Sequence, residues 1–142
     1  MTRVDFYVIP EGDDGPLPTA CRLCDRAVAA GHRVHVHVPD SEQAQAMDRM
    51  LWTWKQGSFV AHERVDAVSD SPPIAKVLLG DGEPRPDHQD VLLNFADSVP
   101  PFFSRFGRVL EIVHGDEDAR TKSRARFKYY RDRGYSLETH KL

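Results

Sequence analysis

Arg124, Phe127, Lys128 and Arg131 lie four, seven, eight and eleven residues beyond Arg120, so on a 3.6-residue helix all five side chains share one face. Three readings fit such a row. It can receive a short peptide that carries carboxylates and a hydrophobic end, through charge-assisted hydrogen bonds and contact with the ring. It can hold single-stranded nucleic acid, through phosphates and base stacking. It can also be a solvated basic face paired with an acidic body. Ala119, Ser123, Arg126 and Tyr130 fall on the adjoining face, nearer the core. The surrounding charge sharpens the choice. The chain's net charge of −3 divides into −9 over residues 1–119 and +6 over residues 120–142. That division points to one localised site for an anionic partner, not to a general nucleic-acid coat.

Other residue types with chemical potential are less patterned. His35 and His37, with His32 just before them, project to one side of a strand. Together with Cys21 or Cys24 they can be imagined around a metal, or they can form a polar, partly exposed sheet face. No zinc-ligand spacing is present, because Cys21-Arg22-Leu23-Cys24 is the sole Cys-x-x-Cys. In a reducing compartment these two cysteines read as ordinary helix residues. Leu51-Trp52-Thr53-Trp54, followed by Phe59, either closes the core or presents an aromatic patch. The first strand leads into Pro10-Glu11-Gly12-Asp13-Asp14-Gly15-Pro16, which is neither of the glycine-rich phosphate loops. Its carboxylates repel phosphate and its prolines lack amide donors, so no nucleotide cofactor is expected. No Ser, Cys or Lys nucleophile stands in a recognisable motif, and catalytic residues and bound metal are not expected.

The elements that must position these groups follow from pattern. Arg3 to Ile9 reads as a strand, Thr19 to Ala30 as a helix with Thr19 as N-cap and Gly31 after its end, and Arg33 to Val38 as a second strand. Asp40 or Ser41 caps a helix through Leu51. Ser58 to His62, Ile74 to Leu79 and Asp90 to Phe95 read as strands, Pro100 to Phe106 as a short helix, and Arg108 to Val113 as the last strong strand. Asp116 opens a final helix that stops at Gly134. Alternating strands and helices predict a single α/β domain over residues 1–142. It is an open, mainly parallel sheet with helices on both faces, Rossmann-like but without a nucleotide site. With 40% hydrophobic and 29% charged residues, 142 residues suit one globular domain. No apolar run reaches the ~20 residues of a membrane helix, and Asp5 interrupts any signal-peptide pattern, so a cytoplasmic location is expected.

At several blocks the sequence resembles the chi subunit family of bacterial DNA polymerase III. The blocks are Val-Asp-Phe-Tyr-Val at 4–8, the Leu-Trp pair with Ser-Phe-Val-Ala-His at 58–62, and Asp-His-Gln-Asp-Val-Leu-Leu-Asn-Phe at 87–95. Further on come Pro-Pro-Phe-Phe-Ser-Arg-Phe-Gly-Arg-Val-Leu-Glu-Ile-Val at 100–113 and Ala-Arg-Phe-Lys-Tyr-Tyr-Arg-Asp-Arg-Gly-Tyr at 125–135. The resemblance implies a non-catalytic accessory subunit that joins the clamp-loader complex through the psi subunit. It also implies binding to the C-terminal tail of single-stranded DNA-binding protein, an acidic peptide with a hydrophobic last residue, so that DNA is met mainly indirectly. Val113, Arg120, Arg124, Phe127 and Lys128 match the family's tail-binding surface. Trp52 and Phe59 match positions used for protein partners, psi or a competing helicase. The competing readings are a Rossmann-like enzyme dependent on a metal or nucleotide, and a module that binds single-stranded DNA directly.

Overall fold

The computed structural model describes residues 2–10, 15–53, 62–64, 76–80, 82–85 and 89–142. In chain order they form β1 (Arg3–Val8), α1 (Pro16–Ala29), β2 (Val34–His37), α2 (Ser41–Thr53), β3 (His62–Arg64), β4 (Val77–Gly80) and β5 (Val91–Asn94). A turn of 3-10 helix (Phe103–Arg105) follows, then β6 (Arg108–Val113), α3 (Glu117–Asp132) and β7 (Ser136–Lys141). The strands make one sheet in the order β3-β4-β2-β5-β6-β1-β7, and every pairing is parallel.

Strand order explains why both faces are covered. The steps from β1 to β2 and from β2 to β3 move toward the β3 edge, whereas those from β5 to β6 and from β6 to β7 move toward the β7 edge. Right-handed crossovers running in opposite directions place their helices on opposite faces. Accordingly α1 and α2 pack Cys21, Cys24, Met47 and Leu51 against Tyr7, Val34, Val36, Leu79, Leu93 and Ile112. On the other face Tyr130 of α3 and Phe102, Phe103 and Phe106 pack against Val4, Phe6, Leu92 and Val109. The two-residue alternation along β1 sends Phe6 to the α3 face and Tyr7 to the α1 face. β5 lies at the sheet centre, and all four of its residues are buried.

The expected α/β architecture is present, with several boundaries corrected. α1 starts at Pro16, not at Thr19, because proline in a first turn forfeits no hydrogen bond; Thr19 is buried inside the helix. Gly31 does follow its end, at φ +90°. Asp40 caps α2 by accepting from the Gln43 N–H at 2.8 Å. Of the strand expected at 58–62, His62 lies in β3, which continues to Arg64, and 58–61 fall outside the described residues. The segment after Pro100 forms only the 3-10 turn. Arg108–Val113 is the last strand with a strong apolar pattern, but a further strand not expected from the sequence, β7, follows it at the sheet edge. Its residues are mostly exposed, so Ser-Leu-Glu-Thr-His-Lys carries little hydrophobic pattern. α3 ends in a Schellman motif: the Gly134 N–H donates to Arg131 O and the Tyr135 N–H to Tyr130 O, with Gly134 at φ +80°. That tight stop turns the chain directly into β7.

Candidate functional site

α3 is built to hold one face down and leave the other free. Asp116 caps it through the Ala119 N–H at 3.0 Å, and Glu117 and Asp118 sit in its first turn, where the helix dipole favours negative charge. Gly115, at φ +92°, makes the turn from β6 into the helix; a Cβ there would stand 3.2 Å from the Ala119 Cβ. Beneath the helix Arg126 Nε donates to Glu111 Oε1 at 3.0 Å. The Tyr130 hydroxyl and the Asn94 amide both donate to Glu111 Oε2, at 2.8 and 3.0 Å. Arg126 also donates to Asp97 O and Ser123 Oγ. Burial raises the Glu111 carboxyl above its ordinary range, opposed by the Arg126 charge and the three hydrogen bonds. The stripe on the adjoining face is thereby fixed in register over the sheet.

A groove of about 160 Å³ opens between α3 and the sheet, lined by Phe6, Val8, Val113, Arg120, Ser123, Arg124, Phe127 and Thr139. Val8 and Val113 are the last residues of β1 and β6, neighbouring strands whose following helices lie on opposite faces. Such a switch point at the carboxyl ends of strands is where open α/β sheets place ligand sites. The floor is apolar: Phe127 meets Phe6 edge-to-face, with ring centroids 5.2 Å apart, and the valines flank them. The rim is cationic. Arg120 Nε donates to Gly115 O at 3.2 Å, and among the described residues Arg120 forms no ion pair. Arg124 pairs with Glu117 at 2.6 Å and also donates to Thr121 Oγ1. Burial, with the Arg126 and Arg120 charges, lowers the half-buried His114 imidazole below its ordinary 6.5, so it adds no positive charge at neutral pH.

Four of the five residues expected at a tail-binding surface, Val113, Arg120, Arg124 and Phe127, thus line one groove. Lys128 stands exposed one turn beyond Arg124 but outside the lining, and has no ion-pair partner among the described residues. Phe6, Val8, Ser123 and Thr139 were not anticipated. The alternation of β1 already places Phe6 and Val8 on one face, whereas Thr139 belongs to the unforeseen β7. Trp52 falls near the end of α2, and Phe59 lies outside the described residues.

The other candidate chemistry separates in space. His35 and His37 point to the Phe102 side of the sheet, at ring distances of 6.0 and 5.2 Å, whereas Cys21 and Cys24 lie in the core on the opposite face. They cannot share a metal. The histidine face is the partly exposed polar surface expected only in part, since His32 is exposed and His37 half-buried but His35 is fully buried. Burial pushes the Cys21 thiol up to about 12 and raises Cys24 as well, which removes thiolate character. Among the described residues the ligand-type side chains that do cluster are Asp5, Glu138 and His140. Asp5 already receives Arg108 Nε at 2.7 Å, His140 Nε2 at 2.9 Å and Arg3 Nη2 at 3.2 Å. A cation there would face two guanidinium groups, so the cluster works as an ionic tie between β1, β6 and β7.

A parallel α/β sheet with an apolar groove rimmed by arginines at the carboxyl ends of β1 and β6 defines a Rossmann-like domain. The family model described as DNA polymerase III chi subunit, HolC, matches residues 1–138. The chain is 38% identical to the DNA polymerase III subunit chi of Pseudomonas aeruginosa, covering 100% of this chain and 98% of the relative. It is 27% identical to that of Haemophilus influenzae, over 94% and 93% of the two chains. Identity to the Escherichia coli protein is 25%, over 98% and 97%. The chain belongs to the DNA polymerase III chi subunit family, and is an accessory, non-catalytic subunit acting in DNA replication. Among the described residues no helix is long and apolar enough to cross a membrane.

Proposed function

We propose that the α3 groove receives the C-terminal tail of single-stranded DNA-binding protein, and that the subunit bridges that protein to the clamp-loader complex through psi. The observation that carries this reading is the pairing of an apolar floor, Phe127 on Phe6 between Val8 and Val113, with Arg120 and Arg124 at the rim. A hydrophobic terminal side chain fills the floor, and the tail's carboxylates meet the arginines, with Lys128 within one turn. Direct capture of single-stranded DNA is less well supported by these rings. Phe127 is half-buried against Phe6, and the Tyr129 face is covered by the Arg133 guanidinium at 3.4 Å, so neither offers a free stacking platform. Trp52 and Phe59 are the proposed contacts for psi or a competing helicase. Titration of a labelled tail peptide and of labelled oligo-dT into the purified protein tests the reading. Saturable peptide binding that weakens with salt but survives it supports the proposal; tight oligo-dT binding with no peptide signal overturns it.

A further inference from the structure

Among the described residues, Arg124 is the one groove arginine that already holds a carboxylate. Its Nη2 lies 2.6 Å from Glu117 Oε1, and it donates to Thr121 Oγ1 at 3.0 Å. Both partners of the pair are strongly exposed, at 63% and 79% of side-chain surface, so neither is locked by packing. Glu117 lies seven residues before Arg124, two turns back along the same helix line. Nothing in the fold requires this pair for helix capping, because Asp116 supplies the cap and Asp118 leaves the first turn acidic. Asp118 is itself engaged elsewhere, with Lys122 at 3.3 Å.

We propose that Glu117 is an internal competitor for the groove: its carboxylate occupies Arg124 in the free subunit and must be displaced before an incoming acidic peptide can use that arginine. The inference rests on the acidic-tail reading of the groove. Glu117 thereby weakens capture and selects for partners whose carboxylates arrive together with a hydrophobic end. A carboxylate alone exchanges one exposed ion pair for another with little gain, whereas a tail that also fills the floor gains apolar contact that Glu117 cannot supply.

The test is a double-mutant cycle read by fluorescence anisotropy with a labelled synthetic acidic peptide ending in phenylalanine. An exposed pair sets the scale, so Glu117→Gln tightens binding by about two- to fivefold at low salt, and the gap narrows as salt rises. In an Arg124→Ala background the same substitution leaves affinity unchanged, because the competitor acts through that arginine. Asp118→Asn, equal in charge change and one residue away, produces a smaller effect than Glu117→Gln. Wild-type protein that fails to bind the peptide overturns the groove's reading, and this inference with it. Wild-type binding with no gain in Glu117→Gln overturns the inference alone. So does an equal gain in both backgrounds, which would mark a general change in surface potential.

Discussion

Two Arg–Glu pairs begin on α3 only two residues apart, and they have opposite characters. Arg126 meets Glu111 at 3.0 Å, with 9% and 0% of the side chains exposed, under a roof of Tyr130 and Asn94. Arg124 meets Glu117 at a shorter 2.6 Å, with both side chains in water. Distance alone would rank the second pair stronger. Burial reverses the order, because removing one partner of a desolvated pair strands the other's charge, whereas water takes over from a lost exposed partner. The buried pair therefore fixes where the helix sits, and the exposed pair is the one that an incoming charge can exchange.

The largest effect should come from breaking the buried member. Glu111→Ala is expected to cost about 3–5 kcal/mol of folding stability, since it leaves the Arg126 guanidinium uncompensated and the Tyr130 hydroxyl without its acceptor. Urea unfolding followed by circular dichroism measures it. A loss below about 1 kcal/mol would place Glu111 in the same class as Glu117 and dissolve the contrast.

The two pairs also differed in how far they could be read from sequence. The 3.6-residue period separates Ser123, Arg126 and Tyr130 from the basic stripe, and all three are buried. It does not reveal that the acceptor beneath them is Glu111, which sits within an apolar strand and looks like a surface residue of an alternating pattern. Helix phase follows from local geometry, whereas the partner of a buried charge depends on sheet register, here Phe6 opposite Glu111. The same limit explains β7. An edge strand with one lightly covered face has no hydrophobic run to announce it, so Thr139 in the groove and His140 in the Asp5 cluster were invisible. The arginines and Phe127 were legible because one helix carries them. The floor was legible only in part because it is assembled from two neighbouring strands.

Asp5 supplies an intermediate case that sharpens the contrast: a fully buried carboxylate held by the partly exposed side chains of Arg108, His140 and Arg3. Burial alone would raise its carboxyl, but hydrogen bonds from His140 and Arg108, with the Arg108 and Arg3 charges, outweigh burial and hold it below the ordinary 3.8. A depressed native value means that this stabilisation is complete above the unfolded value and is lost as pH falls through the native one. Wild-type stability should therefore decline as pH drops below 3.8. Asp5→Asn should cost about 1.5–3 kcal/mol at neutral pH and flatten that acid limb. Urea midpoints for both proteins across the acid range check it; parallel acid limbs would remove Asp5 as the cause.

The smallest effect on stability is expected at Arg124. With its guanidinium largely in water and its partner equally exposed, Arg124→Ala should change folding stability by no more than about 0.5 kcal/mol. Its effect on tail capture should be much larger. A well-formed charge-assisted hydrogen bond to a peptide carboxylate is worth about 1.5–3 kcal/mol, and releasing Glu117 subtracts a fraction of that. The net is an affinity loss of about tenfold, at the low end of the range for charge-assisted bonds. Arg126→Ala has the opposite profile, losing stability first and binding only through the displaced helix. Melting curves and peptide titrations on the two variants place both on one plot of stability against affinity. Separation along different axes sustains the division of α3 into an anchoring face and a receiving face. If Arg124→Ala instead lost several kcal/mol of stability with affinity unchanged, Arg124 and not Arg126 would be the anchor, and the groove would lose its principal carboxylate contact.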